Sequence, residues 1–200
     1  MSAIVLLTGA TGFLGAQVAR RFLQKADCSI IALVRSKDHE DALRRLSRAW
    51  WDWRELTEAI GTRVRVVCGD VSAPCLGLDA PTYEALVREV THIVHSAADL
   101  RLYAPIEELR RTNVQGTANV LDFARAVQRD HGLACLSHVS TAYVCGARRG
   151  EVFEEDLSAE SGFSSANELS KYEGERLVQA ARGAAAWGPG RTRPAGTRPQ

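Results

Sequence analysis

The sequence predicts an α/β fold: a doubly wound parallel sheet of about five strands with helices on both faces. Short apolar segments typical of buried strands alternate with longer segments whose apolar residues recur at helical spacing. A turn with three glycines, between Gly9 and Gly15, joins the first predicted strand to the first predicted helix. The chain has 200 residues and is 46% apolar, which suits one domain with a substantial core. Such alternation is typical of parallel sheets whose strands are connected by helices.

The element bounds follow from the apolar runs and from the amphipathic stretches between them. The predicted strands are Ile4–Leu7, Ser29–Val34, Arg63–Cys68, Thr91–Val94 and Leu133–Val139. The predicted helices are Ala16–Phe22, Glu40–Leu56, Tyr83–Val87, Pro105–Val127 and Ala166–Ala181. After residue 182 the chain is rich in Gly, Pro and Arg and has no strand periodicity. We therefore expect one domain over residues 1–182 and a disordered tail over residues 183–200.

Composition excludes several classes of protein. The net charge is +1 and 24% of the residues are charged, so no nucleic-acid or membrane surface is indicated. No apolar run approaches the ~18 residues of a membrane span, and the chain runs straight into its first strand, so we expect no signal peptide. The five cysteines are scattered without metal-ligand spacing. These features predict a cytoplasmic protein without a structural metal.

The glycine turn indicates a phosphate-binding site. Gly9 allows the tight turn, Gly12 lets the backbone approach phosphates without a Cβ, and Gly15 lets helix and strand pack closely. The pyrophosphate of a dinucleotide would then lie against free N–H groups at the positive end of the helix. In such a sheet, sites lie at the carboxyl ends of the strands, where the strand order reverses.

The residue that ends the second predicted strand bears on the choice of cofactor. In NAD sites an acidic residue there usually binds the ribose 2′-OH, whereas Arg35 would pair with a 2′-phosphate. The sequence therefore favours NADP (NADPH) over NAD. Arg44 or Arg45, one helix onward, could add a second phosphate contact. A solvated helix charge is an equal alternative for Arg45.

Several motifs, in this order, resemble the extended short-chain dehydrogenase/reductases. Within them the chain resembles the thioester reductase and fatty acyl-CoA reductase branch, with its male sterility-type NAD(P)-binding domain. The resemblance rests on the glycine turn, Ala32–Arg35, Val67–Val71, Leu76–Leu78, His95–Ala98, Asn113–Thr117, Val139–Val144 and Ser170–Lys171.

This resemblance implies a Rossmann fold and an oxidoreductase that uses NADPH to reduce an acyl thioester. The substrate would be an acyl-CoA or a carrier-bound acyl group, and the product an aldehyde or alcohol. Another extended dehydrogenase is one alternative, such as a nucleotide-sugar epimerase/dehydratase or a sterol or carbonyl reductase. A catalytically silent NADP-binding protein is the other.

The resemblance also implies which residues contact the cofactor. They are Gly9, Thr11, Gly12, Phe13, Leu14, Gly15, Arg35, Arg45, Asp70, Val71, Ser96, Ala97, Ala98 and Lys171. Asp70 and Val71 would lie at the adenine, although Asp70 could instead cap a turn. Ala97 and Ala98 are small enough for the backbone to approach the cofactor. We interpret His95 as a packing or hydrogen-bonding residue rather than a general base.

The expected catalytic group has one departure from the family. Thr141 could hydrogen-bond the substrate carbonyl, and Lys171 would bind the nicotinamide ribose and lower the pKa of a tyrosine four residues earlier. Asn167 stands at that tyrosine position, and an amide has no proton to relay. Tyr143 could replace the tyrosine only if the fifth strand continues. Asn113 would support Lys171, unless it is a plain polar helix residue.

The end of the chain is a second departure. The family continues after this helix with a sixth strand, a substrate loop and a smaller C-terminal lobe, and none is visible after Arg182. We therefore expect a truncated or frame-altered family member with its fifth strand at an exposed edge. Such a chain would be a slow reductase or only a cofactor binder.

Overall fold

A computed structural model describes residues 3–153 and 157–183. Five parallel strands form one sheet in the order β3-β2-β1-β4-β5. The strands are β1 Ala3–Thr8, β2 Cys28–Val34, β3 Val64–Cys68, β4 His92–His95 and β5 Cys135–His138. This confirms the predicted sheet, and the strand order reverses between β1 and β4. Apart from Gly183, which ends the last helix, the predicted tail lies outside the described residues.

Helices connect the strands, with bounds that mostly extend the predicted ones. They are α1 Phe13–Leu23, α2 His39–Ala49, α3 Arg54–Ala59, α4 Ala80–Glu89, α5 Ile106–Arg110, α6 Gly116–Asp130 and α7 Ala166–Gly183. A 3₁₀ turn covers Ala142–Cys145. Pro74–Gly77 forms a tight turn in which Cys75 and Leu76 have positive φ values. Within the described ranges, no helix is long and apolar enough to cross a membrane.

The prediction of one long helix over Glu40–Leu56 is wrong. The chain leaves the helix at Trp50, whose φ and ψ are −105° and 11°, and resumes it at Arg54. Trp50 is fully buried, and its indole N–H donates to the Ala10 carbonyl at 2.9 Å. Burial of this large side chain competes with helix continuation, and tertiary packing overrides helix propensity.

The predicted helix over Pro105–Val127 is nearly continuous but contains one π turn, Arg111–Gln115, between α5 and α6. A π turn accommodates one extra residue and is frequent at functional sites. Asn113 lies in it and is only 3% exposed.

Two apolar clusters cover the two faces of the sheet. Because side chains alternate along a strand, Val5 and Leu7 pack against α1, α2 and α3, and Leu6 packs against the opposite layer of α4, α6 and α7. The sheet is therefore a buried central layer, and its carboxyl edge is where turns and loops emerge.

Candidate functional site

The carboxyl ends of all five strands meet at one edge, because every strand pair is parallel. The predicted cofactor and catalytic residues follow these ends or lie on α1, α2 and α7. The structure thus brings to one edge segments that are distant in the sequence, such as those of Gly9 and Lys171, which are 162 positions apart. This edge, at the reversal of strand order, is the candidate site.

The glycine turn is tight for the reasons that the sequence predicts. Gly9 has φ +72°, and a Cβ there would lie 2.6 Å from the Ala97 nitrogen and from the Ser96 carbonyl carbon. A Cβ on Gly15 would lie 2.2 Å from the Gly9 oxygen. Gly9 therefore permits both the left-handed turn and the contact between β1 and the segment after β4, and Gly15 seats α1 on the turn.

The N-terminus of α1 can accept an anion. Gly12 is its N-cap, no side chain caps it, and its first turn contains no acidic residue. The first N–H groups of a helix have no intrahelical partner, and the surrounding Thr11, Gly12, Phe13 and Leu14 are exposed. A Cβ on Gly12 would have only the Gly9 oxygen nearby, at 3.3 Å, so the space in front of the helix is open. These features fit a bound phosphate pair.

Thr8, which sequence reasoning did not place in the site, organises the turn after β4. It is fully buried, and its Oγ1 lies 2.8 Å from Nδ1 of His95. The same oxygen accepts hydrogen bonds from the backbone N–H groups of Ser96 and Ala97, both at 3.2 Å. The residues that end two neighbouring strands thus hold the Ser96–Ala98 segment against the glycine turn.

The hydrogen bonds also determine the tautomer of His95. The Thr117 hydroxyl donates its single proton to the Asn113 carbonyl at 2.7 Å, so Nε2 of His95, 3.1 Å from that hydroxyl, must donate. Nδ1 then accepts the proton of Thr8. Burial, and then His138 and Lys171, lower the pKa of His95 well below its usual value. His95 is a neutral hydrogen-bonding residue, which confirms the interpretation from sequence.

His138 continues this polar row across the sheet. It pairs in register with His95, and the two ring centroids lie 5.2 Å apart. Both of its ring nitrogens are buried and have no hydrogen-bond partner among the described residues. Burial, with the charge of Lys171 as the smaller cause, lowers the pKa of His138 to about 3. Thr8, Thr117 and His138 were missed, although Thr8 and His138 each end a strand at the site edge.

Lys171 lies against the end of β5. It is 6% exposed, and its Nζ donates to the carbonyl of Val139 at 3.0 Å. Burial lowers the pKa of Lys171, and the Glu175 carboxylate opposes this effect. Glu175 also accepts a hydrogen bond from Ser140, the next residue along that segment. One face of α7 therefore carries a buried cation to the carboxyl edge of the sheet.

The side chains of Asn167 and Asn113 form hydrogen bonds with the loop that follows β4. Both amides donate to the Asp99 carbonyl, at 2.8 Å and 3.0 Å. The Asn113 side-chain oxygen accepts from the Asp99 N–H at 2.8 Å, and its amide also donates to Ser170 at 2.8 Å. Asn113 is thus a buried, hydrogen-bonded residue rather than a plain polar helix residue, and it contacts Ser170, the neighbour of Lys171. Its support of Lys171 stays a prediction.

The turn after β5 rules out the reasoning that aligned Tyr143 with Thr141. The strand ends at His138, and residues 142–145 form a 3₁₀ turn, so strand alternation does not apply. Thr141 caps this turn and its Oγ1 accepts from the Tyr143 N–H at 3.3 Å. The Tyr143 side chain is 68% exposed.

The remaining predicted contacts lie at the other half of the edge. The Asp70 carboxylate accepts from the N–H and the hydroxyl of Ser72 at 2.9 and 2.7 Å, so it does cap a turn. Val71 is 7% exposed and packs in the core. Arg35 and Arg45 are exposed, and Arg35 is near enough to Asp99 to help lower the pKa of that carboxyl, after the larger effect of Arg101. The described residues contain no cluster of metal-ligating side chains.

Comparison with known proteins identifies relatives of the whole described domain. A family model described as male sterility protein matches residues 7–187. The isonitrile lipopeptide synthase of Mycobacterium tuberculosis is 36% identical over 193 residues, which cover 88% of this chain and 8% of the relative. The fatty acyl-CoA reductase wat of Drosophila melanogaster is 29% identical over 168 residues, which cover 80% of this chain and 32% of the relative.

Solved structures agree with these matches. The terminal R domain of the myxalamid PKS-NRPS biosynthetic pathway superposes with a TM-score of 0.79 at 32% identity, covering 90% of this chain and 46% of that domain. A UDP-glucuronic acid 4-epimerase from Bacillus cereus has a TM-score of 0.68 at 19% identity, over 92% of this chain and 54% of the epimerase, and shares the fold alone. The chain spans less than half of the solved R domain.

Proposed function

Since the chain belongs to the male sterility protein family, we propose that it is the cofactor-binding part of an NADPH-dependent reductase of acyl thioesters. The observation that carries this proposal is the uncapped, glycine-lined N-terminus of α1 at the reversal of strand order. It supports the binding of a dinucleotide pyrophosphate. The relative that is named a fatty acyl-CoA reductase supplies the reaction class.

NADP rather than NAD is proposed from the residue at the end of β2. Arg35 is exposed at the carboxyl edge, directly after Val34. A guanidinium there can pair with a 2′-phosphate in a bidentate manner, whereas it offers a ribose 2′-OH no acceptor. Arg45 on the exposed surface of α2 is the proposed second contact. Asp70 and Val71, with Ser96 to Ala98, would line the adenine and ribose side.

The chemistry at the acyl carbonyl would fall to Thr141 and Lys171. When bound, the cofactor supplies a hydride from C4 of its nicotinamide ring. The Thr141 oxygen accepts a backbone N–H, so its own proton remains to be donated to the carbonyl oxygen and to stabilise the developing negative charge. Lys171 uses one of its three donors on Val139, which orients its ammonium group for the nicotinamide ribose. The acyl group would be held by CoA or by a carrier.

A second candidate function, silent NADP binding, is favoured by Asn167. Its amide donates to the Asp99 carbonyl at 2.8 Å, and an amide relays no proton near neutral pH. Loss of a proton donor removes about 10²–10⁴ in rate. A slow reductase oxidises NADPH measurably in the presence of an acyl thioester, whereas a pure cofactor binder does not.

The experiment titrates the 200-residue chain with NADPH and with NADH, following tryptophan-to-nicotinamide energy transfer. We expect NADPH to bind about tenfold more tightly than NADH. This ratio corresponds to roughly 1.4 kcal/mol of binding free energy, about that of one hydrogen bond to a charged group. Absence of binding to either cofactor would contradict the proposal. NADPH oxidation is then measured with an acyl-CoA and with a simple ketone, for the natural chain and for Asn167→Tyr. A gain in acyl-CoA turnover supports the reductase, and no turnover in either protein supports the silent binder.

A further inference from the structure

A buried tryptophan contacts the glycine turn from a distant part of the sequence. Trp50 is fully buried at the end of α2. Its indole Nε1–H donates to the carbonyl of Ala10 at 2.9 Å, across 40 residues of sequence. Ala10 is itself only 1% exposed, so this carbonyl is shielded from water. A buried carbonyl requires a donor, and a buried indole N–H requires an acceptor. This one hydrogen bond satisfies both groups.

This hydrogen bond determines the direction of a neighbouring N–H. The peptide bond after Ala10 is trans, since the described residues contain no cis peptide. In a trans planar peptide the C=O and the N–H point in opposite directions. Because the Ala10 carbonyl is directed inward to Trp50, the Thr11 N–H is directed outward, to the side on which Thr11 and Gly12 are exposed.

We propose that Trp50 is a positioning residue for the cofactor: it holds the Ala10–Thr11 peptide so that the Thr11 N–H faces the bound pyrophosphate. This inference rests on the proposed binding of a dinucleotide. The hydrogen bond within the turn runs from the Gly12 N–H to the Gly9 carbonyl at 3.0 Å. It does not determine in which direction the enclosed Ala10–Thr11 peptide faces. Trp50 supplies that orientation before the ligand arrives, which lowers the cost of ordering the turn on binding.

The same contact explains why α2 stops where it does. Arg45 lies on α2, and Trp50 ends that helix by turning inward to the glycine turn. The helix proposed to contact the 2′-phosphate and the turn proposed to hold the pyrophosphate are therefore joined by one hydrogen bond. The substitution Trp50→Phe keeps the aromatic ring that ends α2 and removes only the N–H that the Ala10 carbonyl accepts, so we expect this change to affect pyrophosphate binding and not 2′-phosphate binding.

The test compares Trp50→Phe with Trp51→Phe. Phenylalanine keeps an aromatic ring but has no N–H, and Trp51, the matched control, is 74% exposed. Calorimetry measures the binding of ADP, which contains a pyrophosphate, and of 2′-AMP, which does not. For Trp50→Phe we expect ADP to bind about tenfold more weakly, the value of one well-aligned hydrogen bond, with 2′-AMP binding unchanged. Trp51→Phe should bind both ligands as the natural chain does.

Three outcomes would overturn the inference. Trp50→Phe binding ADP as tightly as Trp51→Phe shows that the N–H is not needed, and equal weakening of both ligands shows a general loss of structure. Failure of the natural chain to bind ADP overturns the inference, and failure to bind NADPH as well contradicts the proposed function itself.

A second measurement covers the case in which Trp50→Phe does not fold. The indole ¹⁵N–H resonance of Trp50 in the natural chain is assigned by replacing the other three tryptophans one at a time. ADP should shift this resonance and 2′-AMP should leave it in place. An unshifted Trp50 resonance at saturating ADP would also overturn the inference.

Discussion

Replacement of Gly9 by alanine should damage the candidate site by two separable effects. Gly9 has φ +72°, and a left-handed conformation costs a residue with a Cβ about 1–2 kcal/mol. The new Cβ would also lie 2.6–2.7 Å from backbone atoms of Ser96 and Ala97. Backbone atoms cannot rotate away as a side chain can, and overpacking of this kind typically costs about 1–3 kcal/mol. We expect Gly9→Ala to lower the free energy of unfolding by about 2–5 kcal/mol.

Gly61→Ala is the matched control for the conformational cost. Gly61 has φ +83°, but a Cβ there meets no atom within 4 Å. We expect this variant to lose only about 1–2 kcal/mol, so the difference between the two variants measures the contact between β1 and the segment after β4. The assay is equilibrium urea unfolding followed by circular dichroism, with NADPH binding measured on the folded protein. Equal losses in the two variants would refute the close approach of these segments.

Three further predictions concern charged groups at the site edge. Since the pKa of His138 is about 3 in the folded protein and about 6.5 when unfolded, the unfolded chain takes up its proton first as the pH falls. His138 should therefore contribute a fall of about 2 kcal/mol in the free energy of unfolding between pH 6.5 and pH 5, in addition to the fall that His95 causes in the same direction. The fall should be smaller by this amount in His138→Phe, as urea unfolding at each pH would show, and an equal fall in both proteins contradicts this. Arg35→Ala should weaken NADPH binding about tenfold and leave NADH unchanged, and a parallel loss for both cofactors would exclude a 2′-phosphate contact. Lys171→Met should also weaken NADPH binding about tenfold, and it should lower the free energy of unfolding by about 1–3 kcal/mol because the Val139 carbonyl loses its donor. Unaltered NADPH affinity would remove Lys171 from the site.

The strands and most helices could be predicted because local patterns determine them. Apolar runs such as Ile30 to Val34 are buried on both faces of a parallel sheet, and they appear in the sequence as continuous apolar segments. The break after α2 could not be predicted in this way. Its cause is the burial of Trp50 against Ala10, a contact across 40 residues, and no local pattern reports such a contact.

Some residues of the candidate site could likewise be predicted from a local pattern, and others could not. The glycine turn is recognisable because three glycines have fixed spacing and a fixed place after the first strand, and the structure gives Gly9 and Gly15 the steric roles that this spacing predicts. The role of Thr8 is different in kind. Its hydroxyl serves His95 and the following backbone only because β1 and β4 are neighbours in the sheet. Two strands separated by 87 residues become adjacent through strand order, which the sequence expresses only indirectly.

The strands, most of the helices, the glycine turn and the family follow from the amino-acid sequence, because periodicity and motif spacing are properties of short segments. Which buried polar groups meet depends instead on the packing of the whole domain. It directs Asn167 to the Asp99 carbonyl, leaves both ring nitrogens of His138 without a partner among the described residues, and connects Trp50 to the turn. Hydrogen bonds inside a protein depend on the approach of distant segments to within about 3 Å, and that approach is set by sheet order and by the packing of helices on the sheet.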